Sequence, residues 1–118
     1  MKTSAPLRVL FVCSRNRLRS PTAEQVFAGV ASLETASAGL APDADNPMTA
    51  ELAEWADVIF VMEKVHRTRL RRRFGRHLKR ARVLCLDIPD DYGFMDEALV
   101  RLLKARAGPR LTRREGGL

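Results

Sequence analysis

A cysteine, an arginine and a serine stand at close, regular spacing near the start of the chain, in Cys13-Ser14-Arg15-Asn16-Arg17-Leu18-Arg19-Ser20-Pro21. An apolar run from Val9 to Val12 leads into Cys13, and Ala23, Val26, Phe27 and Val30 recur at helical spacing, so the stretch reads as strand, loop and helix. Ser20 suits the cap position and Pro21 the first helical position, where a missing N–H costs nothing. The loop then ends at a helix N-terminus, where free amides and the positive end of the dipole favour a phosphate-like anion. That field also favours the thiolate of a cysteine held inside it. Arg19 adds a planar, bidentate donor for phosphate oxygens. A lone cysteine ending a buried strand is ordinarily a small core hydrophobe. Here every neighbouring feature serves one chemistry, attack of a thiolate on a phosphoryl group.

That chemistry needs an acid to protonate the leaving oxygen, and Asp87, Asp90 and Asp91 crowd one turn, Asp87-Ile-Pro-Asp-Asp-Tyr92. The intervening pattern decides whether the turn can reach Cys13. Strands are expected near 8–12, 33–37, 58–61 and 83–86. The first helix is expected over 21–31. Asn46-Pro47 opens a second helix, with Met48, Leu52, Trp55 and Ala56 on one face. A basic helix covers 63–74 with Val65, Leu70 and Phe74 inward, and a last helix carries Met95, Leu99, Leu102 and Leu103 and ends by Gly108-Pro109. This alternation predicts a three-layer α/β/α domain on a four-stranded parallel sheet. Right-handed crossovers put the loops after the first and fourth strands on the same carboxyl edge, which makes the acidic turn a candidate partner of the cysteine loop. Residues 1–6 and 112–118 read as loose tails.

With 118 residues the chain is expected to be one domain, and 46% hydrophobic with 6% aromatic content describes an ordinary soluble globule. The longest apolar runs fall far short of the ~18 residues of a membrane span, and the N-terminus lacks the apolar region of a secretory signal. Cys13 and Cys85 read as reduced thiols of a cytoplasmic protein. With His66 and His77 they show no zinc-ligand spacing, so no metal or cofactor is expected. The net charge is +7, and ten of the 21 Lys and Arg residues fall between Lys64 and Arg82. The strip reads as a solvated helix face; nucleic-acid binding, or steering of phosphorylated partners toward the loop, are the functional alternatives.

The run from Val9 to Glu24 resembles the signature loop of the low-molecular-weight protein tyrosine phosphatases and is similar to their shortened bacterial members. The likeness returns at Ser37-Ala38-Gly39, at Asp57 to Met62 and at Ile88 to Tyr92. It implies hydrolysis of a phosphorylated protein or small phosphomonoester through a phosphocysteine on Cys13. The loop from Ser14 to Leu18 and Arg19 then bind the phosphoryl group. Asn16 resembles the family's loop-organising asparagine, Ser37 the serine that supports it from the second strand, and Ser20 the residue that stabilises the thiolate. Set against the family's Asp-Pro-aromatic signature, Asp90 falls at the acid and Tyr92 at the substrate-facing ring, with Asp91 where proline is usual; Asp91 and Asp87 stay as alternatives. Arg15 stands where glycine is common, so a loop residue must take positive φ. Leu18 replaces a second loop cysteine, removing a disulfide switch. The short segment between Ser37 and Asp57 lacks the usual aromatic wall, and Trp55 reads as core. Rival readings are a thiol-dependent arsenate reductase, a cysteine-loop phosphotransfer subunit, and a non-catalytic phosphate-sensing or nucleic-acid-binding domain.

Overall fold

A computed structural model describes residues 5–116. The strands are β1 (Leu7–Cys13), β2 (Leu33–Gly39), β3 (Val58–Val61) and β4 (Arg82–Cys85). The helices are α1 (Arg19–Phe27), α2 (Ala50–Trp55), α3 (Lys64–Phe74) and α4 (Glu97–Gly116), with a short 3₁₀ turn over Gly75–His77. All strands are parallel, in the order β2-β1-β3-β4. The central pair is buried on both faces, which is why Val9–Cys13 and Val58–Val61 are continuous apolar runs rather than alternating ones.

Successive residues of β1 feed opposite layers. Val9 and Phe11 join Phe60, Ala23, Phe27, Leu99 and Leu103 beneath α1 and α4, with the Phe11 ring 5.8 Å from Phe27 and 5.5 Å from Phe60. Leu10 and Val12 join Ile59, Val61, Ala53 and Leu70 beneath α2 and α3, with Trp55 packed against that cluster. The chain leaves β1 for β2 on one side and returns to β3 on the other. A crevice therefore opens at the carboxyl edge between the loops after β1 and β3, where open α/β sheets bind ligands.

Local signals were overridden in several places. Helix α1 begins at Arg19, with Leu18 at the cap, so Ser20 is not the cap and Pro21 sits third. A proline there loses no bond, because the first four N–H groups of a helix have no partner. The helix stops at Phe27, short of Ala31, where the Val30 amide bonds the Phe27 carbonyl and Val30 itself is exposed. Asn46 does not open α2: its side-chain amide donates to the Ser37 carbonyl at 2.6 Å, and Thr49 caps the helix by accepting from the Leu52 amide at 3.1 Å. Met48 is buried in the loop before it. On α3, Leu70 faces inward as expected but Val65 is 44% exposed, and His66 takes the buried position. Met95 precedes α4, exposed and at φ 60°.

The largest correction concerns α4, which passes through Pro109 to Gly116 rather than ending there. Pro109 and Ala105, whose carbonyl loses its helical partner, lie on the exposed side. Leu99, Leu103, Ala107 and Leu111 form a buried stripe at four-residue spacing, so burial of Leu111 carries the helix past the proline. The expected tail from Thr112 is thus helical backbone as far as Gly116, while residues 1–4, 117 and 118 lie outside the described residues. Among the described residues no helix is long and apolar enough to cross a membrane. Leu111→Ala is expected to destabilise the fold by about 2–5 kcal/mol in a urea titration, as truncating a core leucine does; a helix ending at Gly108 would make the substitution nearly silent.

Candidate active site

Cys13 ends β1 and is 3% exposed. Beyond it the chain turns with its carbonyls held outward. Those of Cys13, Ser14 and Arg15 accept from the amides of Leu40 (3.0 Å), Ala41 (2.7 Å) and Asp45 (3.0 Å) in the segment after β2. The carbonyls are thereby fixed on the side away from the sulfur. The Asn16 amide donates to Cys13 Sγ at 3.3 Å. The positive φ required by the loop falls on Asn16, at 57°, and not on Arg15. Asparagine enters this region more readily than most residues.

Asn16 Nδ2 donates to Ser20 Oγ at 2.9 Å, and Ser20 Oγ lies 2.9 Å from Cys13 Sγ. A thiolate only accepts, so with Cys13 ionised the Ser20 hydroxyl is the donor of this pair; the Ala38 carbonyl, 3.5 Å away, is its other acceptor. Gly39, paired with Cys13 across the sheet, packs directly beneath this loop. A Cβ there would stand 2.5 Å from the Ser14 carbonyl oxygen and 2.7 Å from Ala44 Cβ.

Arg19 is buried at 4% exposure and joins three loops. Its guanidinium donates from Nη1 to the Ile88 carbonyl at 2.7 Å, forms an ion pair with Glu63, and has Nε 3.6 Å from Asp90 Oδ1. Glu63 caps α3 in a reciprocal box, accepting from the His66 amide while its own amide donates to His66 Nδ1 at 3.0 Å. Nδ1 is therefore the acceptor, and Nε2 carries the proton toward Ser14 Oγ, 3.1 Å away. Burial, and secondly the Arg19 cation, push the His66 pKa down from 6.5 to about 4. Sequence reasoning considered His66 only as a zinc ligand and Glu63 only as a helix start. The Glu63-x-x-His66 spacing after an apolar strand was the signal that could have found both.

A cleft of about 500 Å³ is lined by Cys13, Ser14, Arg15, Arg17, Leu18, Arg19 and Asp90. Arg17 pairs with Asp45 at 3.2 Å, and Arg15 and Leu18 are exposed at the mouth. Of the three acidic candidates the fold brings Asp90 to this cleft. Asp87, at φ 55°, lies beside Cys85 at 3.5 Å and presents its carbonyl to Arg106, while Asp91 is exposed and away from the cleft lining. Tyr92 is half-buried and packs on the core cluster beneath α4 instead of lining the cleft. Ser37, expected to brace Asn16, donates to Glu24 Oε1 at 2.6 Å. Cys85 lies two strands from Cys13, and burial raises its pKa. Among the described residues no group of His, Cys, Asp and Glu could hold a metal.

The fold has counterparts among solved structures. Wzb from Vibrio vulnificus, solved with benzylphosphonate, superimposes with a TM-score of 0.73 at 26% identity, over 91% of this chain and 98% of that one. A low-molecular-weight protein tyrosine phosphatase from Bacillus subtilis gives 0.71 at 24% identity, over 92% and 98%. The YwlE arginine phosphatase from Geobacillus stearothermophilus gives 0.71 at 20% identity, over 93% and 97%. No family model and no curated protein matches the chain. Its architecture is the four-stranded parallel α/β fold of these structures. More particularly, it has the fold of the low-molecular-weight tyrosine phosphatases, covering about 90% of the chain.

Two outcomes follow from the site's packing. Gly39→Ala is expected to cost about 1–3 kcal/mol in denaturant titration, since the Ser14 and Arg15 backbone and the Ala44 methyl that it meets must move. For His66, the unfolded chain takes up a proton near pH 6.5 and the folded chain only near 4. Its contribution is intact above pH 6.5 and is lost as pH falls through that window, on the order of 3 kcal/mol by pH 4. Stability measured against pH should fall less steeply in His66→Gln; parallel curves for the two proteins would refute the buried neutral imidazole.

Proposed function

We propose that the chain is a cysteine-dependent phosphomonoesterase acting on phosphotyrosine or a related aryl phosphate through a phosphocysteine intermediate. The observation that carries this reading is one sulfur at the floor of a cleft, hydrogen-bonded by the Asn16 amide and the Ser20 hydroxyl, with Arg19 and Asp90 on its wall. Cys13 Sγ, as thiolate, attacks phosphorus and forms the S–P bond. The P–O bond to the leaving group breaks, and Asp90 gives its proton to the departing oxygen. The loop amides and Arg19 hold the three equatorial oxygens where charge develops. In the second half Asp90 takes a proton from water, whose oxygen attacks phosphorus and releases phosphate and the thiolate. Ser14 to Leu18 form the cradle, Asn16 and Ser20 order it, and the chemistry calls on neither metal nor cofactor.

A thiolate nucleophile suits a reducing compartment. Arsenate reduction is less well supported, because Leu18 replaces a loop thiol and Cys85 is remote and only partly exposed. Since solved neighbours include both tyrosine and arginine phosphatases, charge is the discriminator. Arg15 and Arg17 line the mouth and disfavour a guanidinium leaving group.

Purified protein in EDTA should hydrolyse p-nitrophenyl phosphate. Cys13→Ser should abolish turnover while inorganic phosphate still raises its melting temperature, and Arg19→Ala should remove most of that rise. Asp90→Asn should lose ~10²–10⁴-fold on phenyl phosphate, a poor leaving group, and far less on p-nitrophenyl phosphate. Unchanged turnover in Cys13→Ser would end the mechanism, and equal small losses for Asp87→Asn, Asp90→Asn and Asp91→Asn would remove the acid from this turn.

A further inference from the structure

From Lys64 to Leu86 the chain carries ten Lys and Arg residues and no Asp or Glu. Arg69, Arg72, Arg73 and Arg76 recur at three- and four-residue spacing, so they share one face of α3 and the turn that continues it. All four are exposed. Arg73 is engaged, donating to the Leu40 carbonyl at 2.6 Å and lying 5.0 Å from the centre of the Phe74 ring. Among the described residues the ion pairs do not include Arg69, Arg72 or Arg76. Like charges at this spacing repel and oppose the helix, so the fold gains nothing from the arrangement.

The position of this face relative to the cleft gives it meaning. Helix α3 starts at the site: its cap, Glu63, pairs with Arg19, and His66 touches Ser14 of the cysteine loop. Arg69 is near enough to act on the charge of His66. The arginines therefore lead away from the cleft along α3, whose 11 residues rise about 16 Å. An extended peptide advances ~3.3 Å per residue, so this track spans about five residues of a chain leaving the cleft.

We propose that the arginine face of α3 is a docking track for an acidic segment, about five residues long, flanking the phosphorylated residue of a polypeptide substrate. The inference rests on the phosphomonoesterase reading of the cleft. A polypeptide is favoured over a nucleic acid because the track runs into a site for a terminal phosphomonoester, and because it presents no exposed aromatic ring on which bases could stack.

The test compares a phosphotyrosine peptide followed by five glutamates with one followed by five glutamines. The acidic peptide should show kcat/KM at least tenfold higher near 0.01 M salt, and the two should converge near 1 M, where charges are screened within about 3 Å. Arg72→Glu/Arg76→Glu should erase the preference and leave p-nitrophenyl phosphate hydrolysis unchanged. Equal kcat/KM at low salt, or a preference that survives in this variant, would overturn the docking track. If the wild type hydrolyses nothing, the catalytic reading fails by itself; docking is then read from anisotropy of the labelled, unphosphorylated acidic peptide, which must bind the wild type and not the variant. Displacement of that peptide by a single-stranded oligonucleotide at lower concentration than by the peptide itself would assign the face to nucleic acid instead.

Discussion

A buried arginine fixes the rest of this structure. Arg19 is 4% exposed, and a guanidinium withdrawn from water is tolerated only where oxygens surround it. Those oxygens come from three places: Glu63 at the start of α3, the Ile88 carbonyl after β4, and Asp90 two residues on. The loops after β1, β3 and β4 must therefore close on one point at the carboxyl edge, and the acidic turn is held within reach of Cys13. Removing any one partner leaves the cation under-satisfied, so the position of Asp90 depends on the same charge that the proposed mechanism gives to the phosphoryl group.

Glu63 links this cation to a second network. By pairing with Arg19 and capping α3, it places the His66 ring so that Nδ1 accepts a backbone proton and Nε2 faces Ser14. Because burial and Arg19 keep the imidazole neutral, it supplies a hydrogen bond to the cysteine loop without adding a second positive charge beside the first. Polarity near the loop is thus divided between a neutral positioning donor and a charged arginine.

How much of this was legible follows from range. Cys13, Arg19 and Ser20 stand within eight residues, and their meaning comes from strand, turn and helix N-terminus, all local features. The parallel sheet was readable too, since continuous apolar runs separated by helical spacing admit few topologies. Glu63 and His66 were missed because their partners lie 44 and 52 residues away, and the Glu63-x-x-His66 spacing after an apolar strand announces a helix cap before it announces a contact with the loop. Among the three carboxylates the residues alone showed only a cluster, and the resemblance alone favoured Asp90; in the fold Asp90 lies near Arg19, while Asp87, at positive φ, lies beside Cys85. Pro109 misled for the opposite reason, a strong local stop outweighed by burial of Leu111.

The cysteine loop also shows how a turn of this shape is built without glycine. No residue between Ser14 and Leu18 is glycine, and the left-handed position falls on Asn16, whose backbone strain is offset by two bonds, its amide to sulfur and its side chain to Ser20. The glycine that the packing needs lies instead across the sheet, at Gly39, where the loop rests on its α-carbon with no positive φ. Side-chain-bearing residues in the turn have fewer unfolded conformations to lose than glycine would. Its outward carbonyls are pinned by Leu40, Ala41 and Asp45. The donors are consequently fixed before an anion arrives, and fixed dipoles need not reorganise as charge develops.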